Sequence, residues 1–269
     1  MEYVTGMIEE FHSSDLEGFR AAYDRDGVVI VREVLKPDLI EELERHIDWL
    51  MRRHPDLRPE SLGHWLIAED PFWVRFVSDN DLLDVAEPLT GPDIAFFAAD
   101  YIVKPPRTGK GVLWHQDGNY WPLAPMDVIT IWFAVSATTH QNGCVQFVPG
   151  SHRLGPQKHR VNKDEEYILN SVEPGLVDES KIVDAYLNPG DVSVHHPYIL
   201  HGSEPNRSTH WRRGGSIQYM PATTEITADT WPSAFLFRGK PVGQINQRHY
   251  LPIPKFVQGK HMPFKGLET

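Results

Sequence analysis

The stretch Trp114-His115-Gln116-Asp117-Gly118-Asn119-Tyr120-Trp121 sets a histidine and a carboxylate two residues apart inside an otherwise apolar run. Successive side chains of a strand point to opposite faces, so a strand here presents His115 and Asp117 together and turns Gln116 away. At this spacing one strand offers two metal ligands at once. Burying Asp117 among Trp114, Tyr120 and Trp121 without a cation would be costly. A metal removes the objection.

Far downstream, Pro197-Tyr198-Ile199-Leu200-His201-Gly202-Ser203 supplies another isolated histidine, and Arg212 follows eleven positions later. The turn Asn188-Pro189-Gly190 leads into Asp191-Val192-Ser193-Val194, and His201 opens a further short strand on which Ser203 faces the same way. Two histidines and one carboxylate on one side of an octahedral ion leave three positions open, the facial arrangement of non-haem Fe(II) oxygenases. Arg212 and Arg213 precede the small and apolar run Gly214-Gly215-Ser216-Ile217. An arginine entering a barrel interior keeps its charge and needs an anion. A dicarboxylate meets that need with a bidentate pair, the Ser203 hydroxyl adding a donor. The chain has 14 histidines, so a lone one carries little weight. His140, His152, His159, His195, His196, His210 and His249 are therefore expected to be ordinary core or surface residues.

Around these motifs the texture is that of short strands from about Asp93 onward. Candidates are Ile94 to Val103, Val112 to Gln116, Val128 to Ala137, Cys144 to Val148, Ile182 to Leu187, Asp191 to His195 and Gly215 to Met220. Turn signals separate them: Pro105-Pro106, Asn142-Gly143, Pro149-Gly150 and Asn188-Pro189-Gly190. Many short strands at this spacing indicate a sandwich or a jelly roll. Upstream, Ser13-Ser14-Asp15 marks a helix start with Leu16, Phe19, Ala22 and Tyr23 on one side, ended by Asp26-Gly27. Val28 to Val31 reads as a buried strand. A second helix starts at Pro37 with the stripe Leu39, Ile40, Leu43, Ile47, Leu50 and Met51, and stops near His54-Pro55. His64 to Leu89 reads as helical. The polar segment 152–181, with Lys163-Asp164-Glu165-Glu166, favours a solvated insertion over a lid. The tail from Thr223 to Thr269 reads as ordered coil on the body. The whole is read as one domain over 1–269: helical support at 13–90, a core at 93–222 and a C-terminal wrap at 223–269.

Composition narrows the classes. At 269 residues, 41% apolar and 23% charged, the chain is ordinary for a globular protein with a sizeable core. A net charge of −11 argues against nucleic acid or an anionic membrane as partner. Cys144 is the only cysteine, which excludes an intrachain disulfide and a thiolate cage. Neither a leader nor an apolar run of about eighteen residues stands out, so a cytoplasmic location is expected. Nothing in the sequence sets the oligomeric state.

His115-x-Asp117, His201 and Arg212, with Asn142-Gly143-Cys144-Val145-Gln146-Phe147-Val148-Pro149-Gly150-Ser151-His152 between them, resemble the phytanoyl-CoA dioxygenase family. The run from His201-Gly-Ser-Glu-Pro-Asn-Arg-Ser208 to Arg212-Arg213-Gly214 is a specific signature of it, and the likeness covers about residues 15 to 221. These are Fe(II)- and 2-oxoglutarate-dependent oxygenases, and ectoine hydroxylase is a cousin in pattern. The resemblance implies a mainly β protein with flanking helices, a double-stranded β-helix of the cupin-like jelly-roll type. It implies Fe(II) on His115, Asp117 and His201, with Arg212 on the distal carboxylate of 2-oxoglutarate and Ser203 beside it. Trp132 falls where the family places an aromatic next to the cosubstrate, and Lys104 matches a basic position just before the metal motif. Trp121 falls where ectoine hydroxylase has an aromatic near its site. The Pro-Gly-Ser-His element is a structural turn, so His152 is not a ligand. Ala98-Ala99-Asp100 stands where ectoine hydroxylase has Gln-x-Arg, which speaks against ectoine as substrate. Related halogenases replace the carboxylate with a small residue, so Asp117 points to hydroxylation.

For the substrate, Asn119, Tyr120 and Trp121 are the candidate pocket residues, able to hold an alkyl or ring group or a quaternary ammonium. His64, Trp65, and Arg238 or Arg248 are candidates to reach over the mouth. A small-molecule metabolite, with O2 as co-reactant, fits the acidic chain better than a coenzyme A thioester. Two other readings share the ligands: a non-catalytic metal or small-ligand binder, and a zinc hydrolase, which leaves Arg212 unexplained.

Overall fold

Seven strands form the larger of the two main sheets, in the order Glu10–His12, Val28–Arg32, Val192–His195, Ile129–Ala134, Gly214–Pro221, Ile94–Tyr101 and Phe235–Arg238. The first pair is parallel and the others are antiparallel. The smaller sheet runs Val183–Asp184, Gln146–Phe147, His201–Ser203, Gly111–His115 and Tyr167–Ile168. Together they make the double-stranded β-helix that the sequence implies. This computed structural model describes residues 7–267 apart from Pro174.

Alternation explains why the larger sheet has a wet side and a dry side. On Ile129–Ala134, Ile129, Ile131 and Phe133 join the main core, while Thr130 and Trp132 line an internal cavity. On Gly214–Pro221, Ile217 and Tyr219 face the core, while Ser216 and Gln218 face the cavity. Helices Pro37–Arg53, Pro71–Val77 and Asn80–Thr90 contribute to the dry side. Phe76 meets Phe133 edge-on at 4.9 Å, and the Tyr219 hydroxyl donates to the Val77 carbonyl at 2.6 Å.

A polar chain crosses this dry layer. The Tyr101 hydroxyl lies 3.0 Å from His46 Nδ1, and His46 Nε2 lies 3.0 Å from Asp70 Oδ2. Burial holds the Tyr101 phenol well above its ordinary value, so it stays a donor, which leaves His46 Nε2–H to donate to Asp70. Asp70 also caps Pro71–Val77 by accepting from Trp73 N at 2.9 Å.

The structure corrects several sequence readings. The first helix spans Phe19–Asp26, because Asp15 closes a local turn onto Glu17 N and Gly18 sits at φ 79°, which leaves Leu16 outside. Asp117 lies just past the strand Gly111–His115, in a single 3-10 turn, although Gln116 remains extended. The tail is not all coil: Phe235–Arg238 pairs with Ile94–Tyr101, whose edge is otherwise open, and Glu225–Ile226 pairs with Leu123–Ala124. The segment 152–181 is not simply solvated. Tyr167–Ile168 adds to Gly111–His115 as a parallel strand, and Ile168 and Leu169 line the cavity.

Asp70 gives a pH prediction. Burial would raise its carboxyl, but His46, the Trp73 amide and the nearby His261 together outweigh it and hold the pKa below the ordinary 3.8. A depressed carboxyl contributes stability that is complete above its unfolded value and is lost as the pH falls through its folded value. Asp70→Asn keeps a good cap but no titrating charge. Its melting temperature is expected to start lower at neutral pH and to fall less than the wild type's below pH 3.8, as followed by circular dichroism.

Candidate active site

His201 and His115 are direct partners across the smaller sheet, which sets their rings 4.1 Å apart. His115 Nδ1 lies 2.7 Å from the Leu113 carbonyl and His201 Nδ1 lies 3.1 Å from the Ile199 carbonyl. Each Nδ1–H therefore donates to backbone, and each Nε2 lone pair is left for a metal. Asp117 Oδ1 lies 3.3 Å from His115 Nε2 and 3.5 Å from His201 Nε2. One ligand atom from each residue falls within 4.8 Å of the others, a group that can hold a metal ion. Burial, with His201 adjacent, holds the His115 ring below its ordinary value, so it remains a neutral ligand. Burial alone would raise the Asp117 carboxyl, but His201, His115 and His195 outweigh it and hold it well below its usual range.

The second oxygen of Asp117 is held from the other sheet. Thr130 Oγ1 donates to Oδ2 at 2.8 Å, and His195 Nε2 donates to it at 3.4 Å. His195 is 2% exposed, so the expectation of an ordinary histidine understates it. It pairs directly with Thr130 across the larger sheet. A signal was present in the sequence: Val192 and Val194 alternate with Ser193 and His195, which turns the polar pair toward the inside of the barrel.

Arg212 is 1% exposed and donates to the Gly143 carbonyl at 2.7 Å and the Ile102 carbonyl at 2.9 Å. Its guanidinium stands 5.1 Å from the Trp132 ring centroid, and its Nε has no hydrogen-bond partner among the described residues. No carboxylate forms an ion pair with it there, and burial pushes its pKa down to about 10. A buried cation without a counter-ion, open to a cavity, fits an anionic ligand. Lys104 is placed differently from expectation. It lies behind the cavity wall, backbone-paired with Arg212, and its Nζ donates to Ser203 Oγ and the Glu204 carbonyl at 2.6 Å each. Burial, with Arg212 beside it, holds its ammonium well below the ordinary lysine range. Its contribution is to orient Ser203, whose own O–H stays free to donate into the cavity. Gly143 makes this packing possible: at φ 76°, a Cβ there would sit 2.1 Å from the Glu204 oxygen.

The cavity is about 430 Å³, and its lining includes His115, Asp117 and His201 of the metal group together with Ser203, Trp132 and Arg212. Tyr120, Trp121, Trp65, Trp231 and Leu169 line it elsewhere. Asn119 is exposed and outside the lining, because the 3-10 turn carries it away from the cavity. Tyr120 lines the cavity and also ties down the wall, its hydroxyl donating to the Asn170 carbonyl at 3.1 Å and accepting from Asn170 N at 3.0 Å. Trp65 reaches the cavity, whereas the His64 side chain lies outside the described residues. Arg238 is drawn off to Asp84 and Glu87, and Arg248 lines a separate pocket with Gln244 and His249, so neither covers the mouth. His152 packs against Gly27 and His196, away from the metal group. Among the described residues, no helix is long and apolar enough to cross a membrane.

A double-stranded β-helix that closes two histidines and a carboxylate at one end of a cavity, with a buried arginine beside them, has the framework of the cupin-like non-haem iron oxygenases. Residues 23–214 match the family model described as phytanoyl-CoA dioxygenase, and the chain belongs to that family. The peroxisomal phytanoyl-CoA dioxygenase of Homo sapiens is 32% identical over 161 residues, covering 57% of this chain and 47% of the human protein. A probable alpha-ketoglutarate-dependent hypophosphite dioxygenase of Stutzerimonas stutzeri is 30% identical over 166 residues, covering 58% of this chain and 53% of that protein. The apo structure of the non-heme monooxygenase ThoJ superposes with a TM-score of 0.71 at 26% identity, covering 83% of this chain and 84% of that one. The chain spans 47% to 61% of the length of the human, mouse and bovine relatives.

Removing the clamp on Asp117 should loosen the metal group without removing a ligand. Thr130→Val and His195→Phe are each expected to weaken Fe(II) binding by about 10- to 100-fold. Anaerobic equilibrium dialysis against Fe(II) checks this, and wild-type affinity in both variants would show that the clamp is idle.

Proposed function

We propose that this protein is an Fe(II)- and 2-oxoglutarate-dependent dioxygenase that hydroxylates a small metabolite, with 2-oxoglutarate and O2 converted to succinate and CO2. The observation that carries this reading is Arg212, a buried guanidinium with no carboxylate partner among the described residues, opening on the same cavity as the metal group. The metal group and this arginine together are more than a non-catalytic binder needs, and a zinc hydrolase leaves Arg212 unexplained.

His115, Asp117 and His201 would hold the iron, and Arg212 with Ser203 would take the distal carboxylate of the oxo acid. The bound iron and oxo acid together activate O2 and supply the oxidant for a C–H bond. The residues of this chain do the rest. Thr130 and His195 fix Asp117 so that Oδ1 faces the two imidazoles. Lys104 holds Ser203 by its oxygen, which points the hydroxyl hydrogen toward an incoming carboxylate. Trp132 backs the guanidinium and shields it from water. Trp65, Tyr120, Trp121 and Trp231 give the substrate an apolar wall that keeps water from the reacting end.

Two features bear on the substrate. The retained Asp117 favours hydroxylation over halogenation. Among the described residues Arg212 is the only lysine or arginine that lines the cavity, and this reading gives it to the cosubstrate. A coenzyme A thioester needs cations for its phosphates near the mouth, so a small metabolite is favoured over the acyl-CoA substrates named for the mammalian relatives.

Anaerobic protein mixed with Fe(II) and 2-oxoglutarate should show a weak visible charge-transfer band that is absent in His115→Ala and Asp117→Ala. Arg212→Met should need about 100-fold more 2-oxoglutarate to develop the band, since it removes one partner of a buried charge pair. No band, together with no succinate across a broad metabolite panel, would overturn the reading.

A further inference from the structure

Gln218 and Ser216 are polar, buried and turned to the cavity, and among the described residues neither side chain has a hydrogen-bond partner. Gln218 is 4% exposed and is paired across the larger sheet with Thr130 on one side and, at a break in register, with Ala98 on the other. Thr130 is the residue that grips Asp117, so Gln218 stands about 4.8 Å, one strand spacing, beyond it. Ala98 is small and leaves room over the amide. Trp121 and Trp231 flank this end, each packed on Phe97, with ring centroids 5.9 Å and 4.3 Å away. Trp231 Nε1 is already committed to the Phe97 carbonyl, so what it adds to the cavity is ring surface.

We propose that Gln218 selects the substrate. Its side chain takes a neutral group that both donates and accepts, an amide or a lactam, while the adjoining hydrocarbon lies on Trp121 and Trp231. A carboxamide offers donors and an acceptor without charge, so an amide closes two opposed hydrogen bonds with it. A charged group at the same place would be desolvated with no counter-charge supplied by Gln218. Ser216, one row nearer the cosubstrate end, adds a hydroxyl beside the same group. The inference rests on the oxygenase reading of the cavity and names the chemistry that the wall beside Thr130 recognises.

The test uses two probes of one ring size, δ-valerolactam and cyclohexanone, which differ by N–H against CH2. Each is titrated into anaerobic protein with Fe(II) and 2-oxoglutarate, and binding is followed by the indole fluorescence of the cavity wall. The lactam is expected to bind at least about tenfold more tightly than the ketone. Gln218→Leu should bind the two alike, with its ketone affinity no worse than that of the wild type. Equal binding of both probes by the wild type overturns the proposal. So does the absence of saturable binding, or a lactam preference that survives in Gln218→Leu. The wild-type comparison decides even if the variant fails to fold. The charge-transfer band is read in the same samples: its absence counts against the oxygenase reading, whereas a band without lactam preference counts against Gln218 alone.

Discussion

Asp117 is a partly buried carboxylate whose two oxygens face different ways, and the barrel is arranged to keep them so. Oδ1 looks toward two imidazole nitrogens from the smaller sheet, and Oδ2 is gripped by a hydroxyl and an imidazole from the larger one. The metal group is therefore also the place where the two sheets are joined through side chains. A carboxylate buried in this way is tolerable only while every direction around it offers a positive partner or a donor. Shifting either sheet along its strands would break that condition, because a one-residue slip turns every side chain to the opposite face.

The same economy explains two cations side by side. Lys104 and Arg212 are paired through their backbones and share the Gly143 carbonyl. Burial, and after it the neighbouring guanidinium, lowers the Lys104 pKa well below the ordinary lysine range, and its Nζ is taken up by Ser203 and the Glu204 carbonyl. Arg212 keeps its charge and Lys104 becomes a support for Ser203. The sequence shows two basic residues in a plausible place, but nothing in it says that one of them has been turned away from the cavity.

The legible part of the chain was whatever depends on period and spacing. Two-residue spacing brought His115 and Asp117 to one side, and turn residues marked the strand ends that deliver His201 opposite His115. The illegible part was whatever depends on which strand lies beside which. Thr130, His195 and Gln218 are far apart in sequence and become neighbours only through antiparallel pairing between Ile129–Ala134, Val192–His195 and Gly214–Pro221. Asn119 failed for the opposite reason: nearness in sequence to the ligands was taken for nearness in space, and one turn of 3-10 helix undid it. The strand Phe235–Arg238 was hidden because its register breaks between Leu236 and Arg238, so no clean alternation survives.

The larger sheet sorts its inner residues into parallel ranks. Ala98, Gln218, Thr130 and His195 make one, and Asp100, Ser216, Trp132 and Ser193 make the next. Trp132 in the second backs Arg212, and Gln218 in the first lines the cavity beside Thr130. What a lineage must preserve to keep its oxidant, Thr130 and His195 on Asp117, thus stands directly beside the side chain it may rewrite to change its diet. New preferences can arise on that rank only by exchanging Gln218 or Ala98, while Thr130 and His195 are inherited intact.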